Sequence, residues 1–409
     1  MMNQPDDGMI SVAEARAAVL AGVQPLNAEE VGIAEAFGRV LAQDVASRMT
    51  QPPVAVSSMD GYAVRGEDLG SLPATLKLIG ESAAGVGFEG SVGAGETVRI
   101  FTGAPLPDGA DAIVMQEDTD AGGDQITIKE AAPPGRFVRP AGLDYRSGEI
   151  LLEDGKRLNS RDIALIAGMN VPWLKVFRKP RVAILSTGNE LVLPGEPMAR
   201  NQIVSSNSIG LAAFITVAGG VPVNLGIARD DPQSLINKLK GVRAMDMLVT
   251  IGGASVGDYD LVKQVLGGEG MNITFSKVAM RPGKPLIFGE IHGTPMLGLP
   301  GNPVSAGVTA ALYLKPALDV MLGIRLVDRP AETAVLGCDL GENDRRQDYL
   351  RSQLGFNEKG ELTATPFGKQ DSSMLALFSR ADCLVVRLPH AAAVKAGERV
   401  EIVRLDPSA

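Results

Sequence analysis

Four loops in the second half of the chain carry residues whose types and spacing could do chemistry. They are Ser186-Thr-Gly-Asn-Glu190, Arg229-Asp-Asp231, Gly252-Gly-Ala-Ser-Val-Gly257 and Arg281-Pro-Gly-Lys284. Together they deliver Glu190, Asp230 or Asp231, Asp258 or Asp260, and the cations Arg281 and Lys284, with Lys277 just upstream. Carboxylates gathered near cations suit a Mg²⁺ ion bridged to phosphate: the metal takes oxygen ligands, and the cations hold the remaining anionic charge. Taken singly, each of these residues is more simply a solvated loop charge. Gly252, Gly253 and Ser255 open a glycine-rich turn that can bring backbone N–H groups close to an anion. No Lys-Ser/Thr pair follows it, so it is not a Walker A loop. In Gly298-Leu-Pro-Gly-Asn-Pro-Val304, Asn302 can serve as N-cap and Pro303 as first helical residue. That would place a helix N-terminus, with Pro300 before it, where oxyanions are attracted.

The elements needed to position these loops are legible between Arg181 and Gly323. Val182-Ala-Ile-Leu185 is a continuous apolar run, as expected of a buried parallel strand. The pattern then predicts a helix over 209–218, a strand over 221–227, a helix over 232–239, a strand over 247–251, a helix over 261–266 and a strand near 273–277. This alternation implies a doubly wound α/β domain, in which ligands bind at the carboxyl ends of the strands. All four loops follow such ends or lie beside them.

Upstream, Ser11-Val-Ala-Glu14 has the capping-box form and predicts a helix to about Gly22. A second helical stretch is expected near Ile33 to Val45, and a short one opened by Ser160 over 161–169. From Gln51 to about Gly148, glycine and proline recur every few residues between short β-like runs, which predicts an inserted β domain. After Pro330 strands return, near 383–388 and 400–405, as a small C-terminal β domain.

Composition bounds the rest. A chain of 409 residues holds several domains and needs no disulfide or metal staple. The net charge of −9 disfavours a general nucleic-acid or membrane-surface binder, though a local basic pocket is compatible with it. Two distant cysteines, Cys338 and Cys383, and two histidines nearly exclude a Cys/His zinc site. The acidic start has no apolar stretch, and the longest apolar run of the second half, Val308 to Leu314, is too short to span a bilayer, so a cytoplasmic protein is expected. Gly85-x-Gly87-x-x-Gly90 matches the dinucleotide fingerprint by spacing, but no helix is expected after it. His292 and His390 are expected in structural or surface roles, and Trp173 in or near a core.

Three polar turns stand outside the α/β segment. Ser57-Ser-Met-Asp-Gly-Tyr-Ala63 carries Asp60, Thr102-Gly-Ala-Pro-Leu-Pro-Asp-Gly109 carries a hydroxyl, and Arg139-Pro-Ala-Gly-Leu-Asp144 pairs a base with an acid. Residue physics alone does not connect them to the strand-end loops.

Together these segments resemble the molybdopterin molybdenumtransferase family, bacterial MoeA and the gephyrin E domain. The resemblance rests on Ser58-Met-Asp-Gly-Tyr-Ala63, Thr102-Gly-Ala-Pro105, Val114-Met-Gln-Glu117, Leu185-Ser-Thr-Gly-Asn-Glu-Leu191, Gly252 to Gly257, Arg281-Pro-Gly-Lys-Pro285 and Gly298 to Ser305, all in the family's order. It implies a multidomain α/β protein. A doubly wound molybdopterin-binding domain would span 9–26 and 176–328, and a small helical or linker domain 27–47 and 148–175. A β-rich insert would span 48–147 and a C-terminal β domain 329–409. It implies an enzyme that inserts molybdate into adenylylated molybdopterin with Mg²⁺-dependent release of AMP, a molybdate oxygen attacking a phosphorus. The family's functional acids fall on Asp60, Asp144, Glu190, Asp230 and Asp260, with Glu190, Asp230 and Asp260 as metal ligands. Its other positions fall on Thr102, Arg139, Lys277, Arg281, Lys284, Pro300, Pro303 and Ser372. Arg281 stands where some relatives have Lys, and Lys369-Gln-Asp-Ser-Ser373 lacks the glycine many relatives carry before the serine. The resemblance also implies a homodimer with the site shared across subunits. A molybdopterin adenylyltransferase and molybdoenzyme maturation proteins are possible partners. The alternatives are an adenylyltransferase and a pterin-binding scaffold without turnover.

Overall fold

The computed structural model describes residues 8–252, 271–325 and 330–405. Gly253, Ser255, Asp258, Asp260 and the helix expected over 261–266 lie outside the described residues.

The capping box forms as its spacing dictates. Ser11 Oγ accepts from the Glu14 N–H at 3.2 Å while the Glu14 carboxylate accepts from the Ser11 N–H at 2.8 Å, and the helix runs Val12–Ala21. Its Ala15 and Val19 enter the largest core, beside residues such as Tyr313 and Leu318.

That core lies on one face of a six-stranded sheet. In spatial order the strands are Val221–Ala228, Arg181–Thr187, Met247–Ile251, Thr294–Leu299, Ile287–Ile291 and Met271–Phe275. The apolar run Val182–Leu185 is buried on both faces for a simple reason of pleat. Val182 and Ile184 join one apolar layer, while Ala183 and Leu185 join the opposite one with Leu235 and Leu239. The first four strands are parallel, and the sheet is completed by a hairpin the alternation did not predict. Its turn is His292-Gly293, both at positive φ (50° and 81°), as a two-residue hairpin turn requires. His292 is thus structural.

Two expectations change in the small unit between this domain and the insert. The stretch from Ile33 to Val45 is not a helix. A single 3₁₀ turn, Ile33–Glu35, ends before Gly38, whose φ of 75° breaks the helical path, and Val40 and Leu41 make isolated β-bridges instead. Trp173 is 59% exposed, because the strand Trp173–Phe177 alternates and points Leu174 and Val176 inward. The short helix is Ser160–Gly168. Its cap is Asn159, one residue earlier than expected, and Asp162 closes the box.

The insert builds a six-stranded sheet in the order Ala112–Met115, Gly61–Val64, Glu96–Ile100, Ala74–Ser82, Gln125–Ile128 and Thr119–Gly122. No helix follows Gly85-x-Gly87-x-x-Gly90, so the dinucleotide spacing is a turn. In the C-terminal part, the long strand Gln347–Phe356 pairs with both Leu362–Pro366 and Cys383–Arg387. The pairings among Leu362–Pro366, Thr333–Leu336, Arg399–Arg404 and Cys383–Arg387 then close a β-barrel. Burial inside it pushes the Cys383 thiol up to about 12, so this thiol stays protonated and unreactive at neutral pH. Among the described residues no helix is long and apolar enough to cross a membrane.

An ion pair just after the strand Trp173–Phe177 ties the chain to the α/β sheet. Arg178 donates to both carboxylate oxygens of Asp246 at 2.7 and 2.5 Å, and the Arg181 N–H donates to the same carboxylate at 2.7 Å. Asp246→Ala should therefore cost on the order of 2–3 kcal/mol, read as a lower denaturant midpoint with unchanged far-UV circular dichroism. An unshifted midpoint would mean that solvent already satisfies these donors.

Candidate active site

The strand-end loops meet around a cavity of about 1050 Å³. Glu190, Asp230, Gly252, Arg281, Lys284, Pro300, Asn302, Pro303 and Ser372 all line it. The parallel strands Arg181–Thr187, Val221–Ala228 and Met247–Ile251 stop at a common edge, which is why residues about 40 to 60 positions apart converge.

The geometry separates two neighbouring aspartates. Asp231 caps the helix Pro232–Leu239 by accepting from the Ser234 N–H at 2.8 Å, whereas Asp230 lines the cavity. Asp230 is held by a reciprocal pair: its carboxylate accepts from the Asn189 N–H at 3.0 Å, and its own N–H donates to Asn189 Oδ1 at 3.2 Å. The Glu190 carboxylate folds back over Gly188, where a Cβ would sit 2.3 Å from Oε2. Gly252 needs its freedom, since φ is +87° and a Cβ would lie 2.9 Å from the Thr187 carbonyl oxygen. Lys277 ends up beside, not in, the cavity wall: its strand closes at Phe275, and its carbonyl accepts from the Ile10 N–H at 3.2 Å.

Asn302 and Pro303 do begin the helix Pro303–Thr309, with Pro at its first position. The Asn302 side chain, however, makes no cap bond. Its Nδ2 donates to Ser372 Oγ at 2.8 Å, and the Val304 N–H donates to the Ser372 carbonyl at 3.1 Å. The loop from the barrel thus occupies part of the helix end that the sequence reserved for an anion. Gln370 shapes that loop. Its Nε2 donates to the carbonyls of Arg351 and Phe367, while its Oε1 accepts from the Arg351 N–H.

Arg281 has a committed partner. Residues Met280–Arg281 add a short parallel strand to Gln347–Phe356 of the barrel, so Arg281 sits opposite Asp348. Its Nε donates to Asp348 Oδ1 at 2.8 Å, Nη2 donates to Asp348 Oδ2, and Nη1 donates to Asp344 at 3.2 Å. The Asp348 carboxylate raises the Arg281 pKa further.

In the insert, two of the polar turns form one cluster. Asp60 Oδ1 accepts from the Thr102 N–H at 2.7 Å and from the Thr102 hydroxyl at 2.8 Å. These bonds, the backbone one first, hold the Asp60 carboxyl below the usual aspartate range. Arg139 lies on a neighbouring two-residue strand opposite Val56, and the Asp144 N–H donates to the Gln51 carbonyl at 3.0 Å. No described residue of the insert lines the cavity. Thr102→Val should remove the hydroxyl bond and keep the backbone one, raising the Asp60 pKa partway toward 3.8. An NMR titration of the side-chain carboxyl reads this directly, and an unmoved value would mean the hydroxyl bond is not held in solution.

Several lining residues carried no sequence signal. Ser205 and Asn207 face the cavity from a loop and a helix start, and Asn207 Nδ2 donates to the Gly301 carbonyl at 2.7 Å. Arg346 and Gln370 enter from the barrel. Serine, asparagine and glutamine in loops are too common to stand out without the fold.

Fold and cavity define a multidomain α/β protein with an acid-and-base cleft at its strand ends, walled on one side by a β-barrel. Comparison with known proteins places this class within one family. The chain matches the MoeA N-terminal region (domain I and II) over residues 10–169, the probable molybdopterin binding domain over 183–320 and the MoeA C-terminal region (domain IV) over 333–405. It is 33% identical to a molybdopterin molybdenumtransferase of Haemophilus influenzae, over 96% of this chain and 98% of that protein. A protein named molybdopterin molybdenumtransferase 2 from Mycobacterium tuberculosis is 34% identical over 96% of this chain and 99% of its own. A solved molybdopterin biosynthesis MoeA protein from Pyrococcus horikoshii superposes with a TM-score of 0.84 at 34% identity, covering 97% of this chain and 99% of that one. The chain belongs to the MoeA family of molybdopterin molybdenumtransferases, and is a transferase of molybdenum cofactor biosynthesis.

Proposed function

We propose that this enzyme inserts molybdate into adenylylated molybdopterin and releases AMP, with the cavity at the strand ends as its site. The observation that carries this reading is the convergence of Glu190, Asp230, Lys284 and Ser372, from four separate segments, on one cleft large enough for a nucleotide-sized ligand. Cations and carboxylates side by side suit a substrate whose pyrophosphate and oxyanion are both negative.

The donor set fits Mg²⁺. Among the described residues no group of three acids, histidines or cysteines is gathered for a metal. Glu190 and Asp230 nevertheless offer two carboxylates on one cavity, and Mg²⁺ is commonly held by one or two carboxylates plus substrate phosphates. Asp260 would be the third acid by family resemblance. When bound, Mg²⁺ supplies charge neutralisation on the phosphate oxygens. The chain's own groups then orient the reactants: Lys284 holds oxyanion charge, and Ser372, fixed by Asn302, offers a hydroxyl at the barrel wall. A molybdate oxygen attacks a phosphorus of the pyrophosphate and the bond from that phosphorus to the bridging oxygen breaks; the dithiolene sulfurs then take the molybdenum as its bond to the attacking oxygen breaks, and AMP is released.

Asp60, Thr102, Arg139 and Asp144 complete the site from the insert of a second copy, which makes the working unit a homodimer. This accounts for an Asp60–Thr102 cluster built as a site but absent from the cavity of its own chain. The test is single-turnover AMP release from adenylylated molybdopterin, with and without molybdate, and with ATP consumption followed in parallel. Molybdate-dependent AMP release without ATP use supports the reading. ATP consumption would point to adenylyl transfer, and tight pterin binding without AMP release to a scaffold.

A further inference from the structure

Among the described residues three cationic side chains line the cavity, Arg281, Lys284 and Arg346, and their partners differ in kind. Arg281 is bonded through Nε and Nη2 to Asp348, whose side chain is only 6% exposed. If Arg281 turned to a substrate anion, it would leave that carboxylate buried and unpaired, which is strongly unfavourable. Arg346 faces a different choice. Among the described residues its ion-pair partner is Asp344, 3.7 Å from Nη2 and 46% exposed, so solvent can take over that contact at little cost. Lys284 makes no ion pair among the described residues.

The backbone that carries Arg346 is clamped. Its N–H donates to Asp344 Oδ1 at 2.8 Å, and its carbonyl accepts from Asn343 Nδ2 at 2.9 Å. The next residue, Gln347, donates its N–H to the Ala279 carbonyl at 2.9 Å and pairs with Met280 in the strand that brings Arg281 to Asp348. Arg346 and Lys284 also line a second, smaller cleft next to the first, together with Met9, Asp344 and Arg345. The two cations therefore stand where the clefts meet, and a guanidinium with an ammonium beside it is suited to a tetrahedral oxyanion.

We propose that Arg346 binds the tetrahedral oxyanion in this cavity, with Lys284, and that Arg281 is a positioning residue whose pair with Asp348 holds the Arg346 strand against the α/β domain. The proposal rests on the cavity being the substrate site. It departs from the role that family resemblance gives position 281. The anion is molybdate or a phosphate group of the nucleotide; the chemistry of recognition is shared.

The experiment is direct binding, by calorimetry, of inorganic molybdate and separately of inorganic phosphate to the full-length protein and its variants. Wild type should bind at least one of the two. Arg346→Ala should weaken that binding tenfold or more, and Arg346→Lys should recover part of it. If molybdate alone is lost, the subsite takes the metal oxyanion; if phosphate alone is lost, it takes the nucleotide. Arg281→Ala leaves Asp348 unpaired and should weaken binding through misplaced Arg346, together with a lower Tm. The double variant Arg281→Gln with Asp348→Asn keeps a neutral hydrogen-bonding pair and should bring oxyanion binding back to within about threefold of wild type. A purely anion-binding Arg281 would not be rescued this way, so failure of rescue in a variant with wild-type Tm overturns its positioning role. Unchanged binding in Arg346→Ala overturns the assignment of Arg346 and leaves the proposed function standing. No oxyanion binding to wild type overturns both.

Discussion

Glu190→Gln should fold like the wild type and release AMP about 10²- to 10³-fold more slowly in a single turnover. The side chain is exposed and lies over Gly188, so the isosteric amide removes a charge and no core volume. What disappears is one of the three carboxylates, Glu190, Asp230 and Asp371, that share the cavity with Lys284 and Arg346 among the described residues. Stability should be unaffected, with the Tm within about 1–2 °C of wild type, because exposed substitutions away from caps and ion pairs change stability little. Asp231→Asn is a useful control. That residue caps a helix and does not line the cavity, and asparagine caps nearly as well as aspartate, so activity and stability should both survive. Wild-type AMP release by Glu190→Gln would remove Glu190 from the site and leave Asp230 as the acid to test.

Mixing two inactive variants should restore activity. If each site takes Glu190 from one subunit and Asp60 from the other, dimers of Asp60→Asn are dead at both sites, and so are dimers of Glu190→Gln. In a mixed dimer one site carries both lesions and the other carries none. With equal input and free exchange about half the dimers are mixed and half of their sites are intact, so about a quarter of wild-type activity should return. Tagging the two variants differently verifies exchange. If exchange is proven and activity stays at the level of the single variants, the two residues do not serve sites built from two chains. The structural reason to expect recovery is that the Asp60–Thr102 pair is fully formed and ionised at neutral pH, yet no residue of its domain reaches the cavity of the same chain. On acidification Asp60 keeps its charge below the usual aspartate range, so it is not the group that sets an acidic limb near neutrality.

Much of the α/β domain was legible because its signals are local. The run Val182–Leu185 is apolar at every position, and a strand buried on both faces is what that pattern dictates. The capping box at Ser11 and the Pro232 start of its helix are set by residues three apart or adjacent, and both formed. Local reasoning failed where a distant partner outweighed propensity. The segment after Ile33 reads as helical, yet Leu41 bridges to Val176 across the linker and the helix stops at one turn. Trp173 reads as core by type, but the alternation of its strand points it outward while Leu174 takes the inside.

The sequence by itself determined which chemistry this protein holds: carboxylates and cations placed after the strands of a parallel sheet, with glycine where the backbone must turn at +87° beside Thr187. It determined as well that Asp60 and Thr102 occur in turns able to present a carboxylate and a hydroxyl. Tertiary structure decided what those groups are free to do. Asp230 and Asp231 are neighbours of identical type, and only the helix that begins at Pro232 assigns one to a cap and leaves the other for the cavity. Arg281 and Arg346 are equally basic in sequence, and only the barrel strand that sets Asp348 against Arg281 separates a guanidinium bonded to a buried carboxylate from one that lies 3.7 Å from an exposed carboxylate. The physical reason is common to both cases. A side chain's charge is a local property, whereas the partner that neutralises it is supplied by segments that only folding brings near.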